Sequence, residues 1–381
     1  MNSLKKSHIS MFLFAAVNLL FCFKYGERAL NSYVWIPMAL YCICIAIILY
    51  LNSANKCLNQ VSRSTIWGLL IAIGVSVSIF IPETSLNVDR WDMIETFWDS
   101  VFSNVYPYQA TGTLSGNHPG PMPAYFLLCL PYYLTHSYAF IAITGIIIFF
   151  IYCKKKKKIS TINADTNLLL LLTSPAILWE ISCRSTIFFN SCLFFIWLIS
   201  LKDLDSYSTK KYVISAIIGG LLLSTRNVFV VPLMFVFFPL LYKIGFKRLF
   251  IWGVILGITY LSTIIPLFYW GVDSFMEINP FIIQSSFLLP FNITLTMLGL
   301  AIIPCLFIRK NFNNAIFGGG LYIFAIIAVY AIYILQTYGY EYFISTGCDI
   351  SYFIFCFPFL LINIPLFNDK RSNHISRNAC L

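Results

Sequence analysis

Long apolar runs separated by short polar stretches dominate this chain. Residues 33–52, 65–82, 249–270, 286–308 and 315–336 are the clearest of them. A helix needs about 20 apolar residues to cross the hydrocarbon core of a bilayer, and these runs approach or exceed that length. Backbone groups in lipid must be paired within the spanning structure, which leaves helices or closed barrels. The runs are continuous and lack the alternation of a barrel strand, so the pattern predicts helices. Extending the reading to weaker runs predicts spans near 9–24, 33–52, 65–82, 137–153, 166–182, 186–201, 211–224, 227–243, 249–270, 286–308, 315–336 and 348–366. The expected fold is all-α, a polytopic transmembrane helix bundle of about 12 helices.

One apolar segment does not fit a simple count. Residues 121–136, PMPAYFLLCLPYYLTH, contain Pro121, Pro123 and Pro131, and proline interrupts a straight helix. If they crossed, the lysines at 154–158 would change sides and every later loop would invert. The segment is therefore expected to be an interfacial or re-entrant helix on the external face. Broken structure at membrane depth is tolerated where it is buried in protein or lines a cavity. The resulting organisation has two N-terminal helices in 1–64, a main membrane region in 65–366 with a long loop at 83–120, and a tail at 367–381.

Composition agrees with this picture, because apolar residues make up 59% of the chain and charged residues 10%. Soluble domains carry roughly 25% charged residues. The net charge of +10 does not point to nucleic acid, since the basic residues sit between the apolar runs. Placing Lys5, Lys6, Lys56, Arg63, Lys154 to Lys158, Lys202, Lys210, Lys211, Lys243, Lys247, Arg248, Arg309, Lys310, Lys370, Arg371 and Arg377 in the cytoplasm satisfies the positive-inside rule. Only Lys24, Arg28, Arg90, Arg184 and Arg226 of the 25 Lys and Arg then lie toward the outside, and both termini are cytoplasmic. The start of the chain imitates a secretory signal but has no small-residue cleavage site, so it is read as an uncleaved first helix. The 12 cysteines fall mostly inside apolar runs and form no metal-binding pattern.

Acidic residues concentrate in the loop 83–120, where Glu83, Asp89, Asp92, Glu95 and Asp99 face a single Arg90. Asp92, Glu95 and Asp99 share one face of a helix expected from about 91 to 103, with Trp91, Ile94 and Trp98 on an apolar side suited to the membrane surface. Glu95 and Asp99 read as a solvated face. Asp89 and Asp92 stand close to the end of the third span, where a lipid-borne head group would arrive. Beyond them, Tyr106-Pro107-Tyr108 and Asn117-His118-Pro119-Gly120-Pro121 are turn-forming stretches.

Here the chain resembles the GT-C superfamily of membrane glycosyltransferases, which use polyprenyl-linked sugars. Asp89, Pro107-Tyr108 and His118-Pro119-Gly120-Pro121 stand where that family has an acidic residue, a Pro-Tyr turn and a Pro-rich lead into a juxtamembrane helix. Asp349-Ile350-Ser351-Tyr352 and Pro358 stand where it has Arg-Tyr followed by proline, here without the arginine. The resemblance covers about residues 65–366. It implies a transferase moving a sugar from a polyprenyl-phosphate carrier to a glycan or lipid-linked acceptor outside a bacterial inner membrane. Asp89 would then act as general base, or as a ligand to a divalent cation, and Asp92 could share the role. His118 would orient a phosphate or sugar, with Tyr108 beside it in the substrate-binding loop; alone, such a histidine also reads as a surface residue.

Two arginines extend the candidate set. Arg184 and Arg226 lie at the ends of apolar runs, where a charge usually faces a cavity or a partner. A lipid phosphate suits the forked guanidinium, while for Arg184 an internal pair with Glu180 at i, i+4 is the alternative. Asp273 and Glu277 read as solvated. An O-antigen or capsule polymerase shares the many-helix form, but tends to have arginine-rich rather than acidic external loops. A flippase or transporter is disfavoured by the lack of paired internal repeats.

Overall fold

The computed structural model describes residues 3–54, 60–86, 88–155, 161–286, 288–308 and 310–364, and no strand occurs among them. The chain begins with α1 (Ser3–Leu30), α2 (Trp35–Ser53), α3 (Gln60–Phe80), α4 (Arg90–Phe102), α5 (Pro123–Leu134) and α6 (Ala139–Lys155). It continues through α7 (Thr161–Leu172), α8 (Pro175–Ser182), α9 (Ile187–Ser200), α10 (Thr209–Leu223), α11 (Val230–Ile244) and α12 (Phe246–Ser262). Three short helices follow, α13 (Ile265–Trp270), α14 (Val272–Glu277) and α15 (Pro280–Ser286), and then α16 (Phe291–Ile308), α17 (Phe312–Ile344) and α18 (Phe357–Leu361). The molecule is an all-α bundle of an integral membrane protein.

The number of spans needs correction. Eight described helices are long and apolar enough to cross a bilayer, or nine if the bent pair α5–α6 forms one span, against the twelve expected. The expected span 166–182 breaks between α7 and α8, where Pro175 cannot donate a helix hydrogen bond. Ser174 caps the new helix by accepting from Ile177 N at 3.2 Å, and Asn18 of α1 holds the break by accepting from Ser174 Oγ at 2.6 Å and Ala176 N at 3.2 Å. The expected span 348–366 opens as a 3-10 turn, Ile350–Cys356, and α18 has only 5 residues. The expected span 211–224 becomes α10, with 15 residues. The expected span 137–153 becomes α6, with 17 residues. Hydropathy marks where apolar chain lies, but not where a proline or a side-chain cap interrupts it. The pentalysine beyond Lys155 and the tail 367–381 lie outside the described residues.

Side-chain hydrogen bonds tie the helix ends together at two opposite faces. On one, Lys24 donates to Cys348 O at 2.6 Å, Arg184 to Ile81 O at 2.8 Å and Gln284 to Gly120 O at 3.0 Å. On the other, Ser7 donates to Ile364 O at 2.8 Å, Thr166 to Asn52 Oδ1 at 3.1 Å, and Lys243 pairs with Asp205 at 2.7 Å. The first, here the loop face, carries α4, α5 and α13 to α15. As 121–136 suggested, α5 does not run straight on: it meets α6 at 113° and packs against α4. The Phe97 and Phe126 rings stack with centroids 3.7 Å apart, and Trp98 Nε1 donates to Phe126 O at 3.1 Å. Deep in the bundle α9 is the most enclosed span, with Phe194, Phe195 and Leu198 inaccessible to solvent. Helices α2, α3, α12 and α16 show apolar side chains such as Ile43, Leu69, Phe250 and Phe307 outward, where acyl chains take the place of a core.

Candidate functional site

The 83–120 loop is folded by its own acidic residues. Asp92, in the first turn of α4, is buried at 2% exposure. Its Oδ1 accepts from Thr113 N at 3.2 Å and Thr113 Oγ1 at 2.9 Å, and its Oδ2 from Leu114 N at 3.0 Å. A carboxylate that satisfies these loop donors replaces the hydrogen bonds they would make to water. The approach demands glycine at position 112, since a Cβ there would lie 2.4 Å from Asp92 Oδ2. Tyr108, wholly buried against Phe97 and Phe126, donates its hydroxyl to Pro121 O at 2.7 Å and so locks the segment leading into α5.

With the loop held this way, Asp89 sits at the start of α4 without capping it. Its Oδ2 accepts from Ser115 Oγ at 3.1 Å and Asn117 Nδ2 at 2.9 Å. Among the described residues Oδ1 receives no hydrogen bond. Asp89 lines a cavity of about 310 Å³ that also takes in Arg90, Asn117, His118, Tyr125, Arg226, Asn227, Gln284 and Tyr352. His118 reaches Ala110 O through Nδ1 at 3.1 Å. Arg226 emerges after α10 with its guanidinium over the Tyr125 ring, 5.1 Å from the centroid. Its Nε is buried and has no hydrogen-bond partner among the described residues. From this polar chamber the cavity continues into an apolar slot between α11, α16 and α17, lined by Val230, Val231, Leu289, Phe291, Leu295, Leu298, Ile326 and Ile327.

The candidates thus divide. Asp89, His118 and Arg226 line one cavity, while Asp92 and Tyr108 stand behind it and build its wall. Arg184 belongs elsewhere: it donates to Ile81 O at the end of α3 and pairs with Glu83 at 3.3 Å, in the left-handed conformation with φ 53°. It does not pair with Glu180, whose Oε1 instead accepts from Phe188 N at 2.9 Å. The carboxylates read as solvated are also engaged, Glu95 accepting from Tyr138 at 2.9 Å and Asp99 from Tyr133 at 2.6 Å. Glu277 accepts from Gln109 at 3.2 Å.

Sequence reasoning missed the ion pair in the chamber wall. Arg90, 8% exposed, pairs through Nη2 with Asp349 Oδ2. It also donates to Ser185 Oγ at 3.0 Å and Ser351 Oγ at 2.6 Å, and its guanidinium lies 5.3 Å from the Tyr352 ring centroid. Burial acts to raise the Asp349 carboxyl, but the charge of Arg90 and hydrogen bonds from Ser351 outweigh it and hold the group below its ordinary range. Folding thus brings Arg90 of the first loop beside Tyr352, 262 positions away in the chain. Gln284 is a second unforeseen member: it accepts from Asn227 N at 2.9 Å while donating to Gly120 O, and so bridges three segments of the rim. An arginine alone among five acids was the available signal for Arg90; Gln284 had none.

Asp89 is the one carboxylate among the described residues lining the cavity, and no group of three or more His, Cys, Asp or Glu side chains converges among the described residues. Comparison with known proteins finds no matching family model, no matching curated protein and no matching solved structure.

Proposed function

We propose that this membrane protein is a glycosyltransferase of GT-C type that moves a sugar from a polyprenyl-phosphate carrier to a glycan or lipid-linked acceptor. The observation that carries the reading is the continuity of a polar chamber holding Asp89, His118 and Arg226 with an apolar slot between α11, α16 and α17. A lipid-linked sugar has those two parts, a polar head and an acyl-like tail. Few small soluble substrates need both.

In this reading Asp89 takes the proton of the acceptor hydroxyl as its oxygen bonds to the anomeric carbon. The bond from that carbon to the carrier phosphate breaks, and the phosphate leaves with the electron pair. Ser115 and Asn117 fix Oδ2 of Asp89 and leave Oδ1 to receive the proton, which meets the geometric need of a general base. Arg226, with no anion beside it among the described residues, meets the leaving phosphate through a charge-assisted, forked contact. His118 orients the sugar. A single lining carboxylate makes proton acceptance the simplest role for Asp89, because a divalent cation would need most of its oxygen ligands from substrate and water.

The basic residues support an orientation with the loop face outside and both termini in the cytoplasm, in this reading across a bacterial inner membrane. Reporter fusions after residues 110, 275 and 342 then read external, and fusions after 157, 206 and 372 cytoplasmic; external readings at both 157 and 206 would invert the assignment.

The direct test uses membranes containing the protein and a radiolabelled polyprenyl-phosphate sugar, with wild type compared to Asp89→Asn. Transfer by wild type and loss in the variant is the expected result. A single added sugar marks a transferase, and a ladder of products a polymerase. Wild-type membranes that transfer nothing from any carrier, while deletion of the gene leaves lipid-linked intermediates unchanged, overturn the reading.

A further inference from the structure

A second cavity opens on the face opposite the loops, and its chemistry differs from the first. It has a volume of about 520 Å³ and is lined by Lys6, Lys310, Asn311 and Asn314 above Phe307 and Leu321. It lies where the start of α1 meets the turn between α16 and α17.

Lys6 is 7% exposed, yet no carboxylate pairs with it among the described residues. Its ammonium donates to Asn313 O at a long 3.3 Å and stands 5.7 Å from the Phe317 ring centroid. A carbonyl and a ring face stabilise a cation without neutralising it, and buried charges are usually paired. Lys310 adds a second cation, 5.8 Å from the Tyr242 ring centroid and likewise without an ion pair among the described residues. The groove also receives the N-terminus of α17, where Asn311 Oδ1 accepts from Asn314 N at 3.0 Å. The first-turn N–H groups of a helix lack intrahelical partners, and the helix dipole there favours an anion. Below these groups the wall turns apolar, with Phe307 86% exposed toward the space that acyl chains fill.

Two cations, the positive end of a helix and an outward apolar wall together match one occupant. We propose that this groove is a binding site for an anionic phospholipid of the bilayer, with the phosphate between Lys6 and Lys310 and an acyl chain along Phe307 and Leu321. The site is independent of the transferase reading, shares no residue with the other cavity, and would clamp α1 to the α16–α17 turn. A zwitterionic lipid has a balancing ammonium and gains less from two lysines. Free phosphate reaches the cations but not the apolar wall.

The test is the thermal stability of the full-length protein in a neutral detergent, measured with added phosphatidylglycerol, phosphatidylcholine or inorganic phosphate. A ligand that binds only the folded state raises the midpoint in a concentration-dependent way. The expected result is a rise with phosphatidylglycerol well above that with phosphatidylcholine, and none with phosphate at equal concentration. Lys310→Gln, at an exposed turn, should fold normally and lose at least half of that rise; Lys6→Gln with Lys310→Gln should lose nearly all of it. An equal rise with phosphatidylcholine, a rise with free phosphate alone, or a full rise retained by Lys310→Gln and the double variant each overturns the proposal.

Discussion

The polar chamber and the apolar slot are parts of one cavity, but they are made in opposite ways. The chamber is assembled from loops far apart in sequence, and much of its wall is placed by directional hydrogen bonds and an ion pair. Arg90 and Asp349 meet across 259 positions, and Tyr108, Asp92 and Gln284 each hold a particular strand of loop. The slot is made by three helices whose apolar side chains only need to leave a gap. Directional contacts fail singly, because losing one partner leaves a buried polar group unsatisfied. Apolar surface is roughly additive in area, so the slot should degrade gradually.

The sharpest way to break the comparison is at Asp89. Asp89→Asn keeps size and hydrogen-bonding capacity but cannot take a proton as a carboxylate does. General base catalysis contributes about 10²–10⁴-fold, so transfer should fall by that factor while the thermal midpoint in detergent stays near wild type. Asp92→Asn should show the reverse order: a lowered midpoint, from loop donors facing an amide nitrogen, with the activity loss following the loosened loop. Equal midpoints for the two variants would remove the distinction between reacting group and wall.

Next comes the ion pair. Asp349→Leu leaves Arg90 as an unpaired buried cation, a change that costs about 3–5 kcal/mol, read as reduced stability in a denaturation series. Adding Arg90→Met to it should recover a good part of that loss, since paired apolar replacements avoid the stranded charge. The pair also has a pH signature. The folded Asp349 carboxyl is held below its ordinary value, so its contribution is present above the unfolded carboxylate range, about 4. It is lost as pH falls through the folded value, and stability should drop more steeply on acidification below that range in wild type than in the double variant.

Arg226 sharpens the comparison at the junction of the two parts. Arg226→Ala should weaken use of the lipid donor about 10–100-fold, from hydrogen bonds to a charged group worth about 1.5–3 kcal/mol, read as a raised donor KM. Arg226→Lys should retain some activity. The smallest effect belongs to the slot. Leu298→Ala removes part of an apolar wall, and with one or two carbon contacts to the tail lost at about 0.8 kcal/mol each, donor KM should rise about 4- to 15-fold. That rise should shrink further with a short-chain carrier. A collapse of activity at Leu298→Ala would mean that the slot is as exacting as the chamber.

What the sequence alone determined was the class of the molecule and part of the lining of its candidate cavity. Apolar runs of bilayer length leave no other solution than helices, because unpaired backbone is too costly in lipid. Asp89 and Arg226 were legible as polar groups at the edges of apolar runs, where a function or a partner has to explain them, whereas His118 was singled out only through a resemblance; all three line the cavity. The tertiary structure alone decided which polar groups are used up. Asp92 is three residues from Asp89 on the same helix, yet one faces the cavity and the other is enclosed by Thr113 and Leu114. Arg184 looked like Arg226 by its surroundings in sequence, but Glu83 and the end of α3 claim it. The breaks at Pro175 and in the 3-10 turn 350–356 escaped notice for the same reason. Hydropathy and periodicity are sums over neighbours in the chain, whereas a hydrogen bond or an ion pair is settled by whichever group folding brings within about 3 Å.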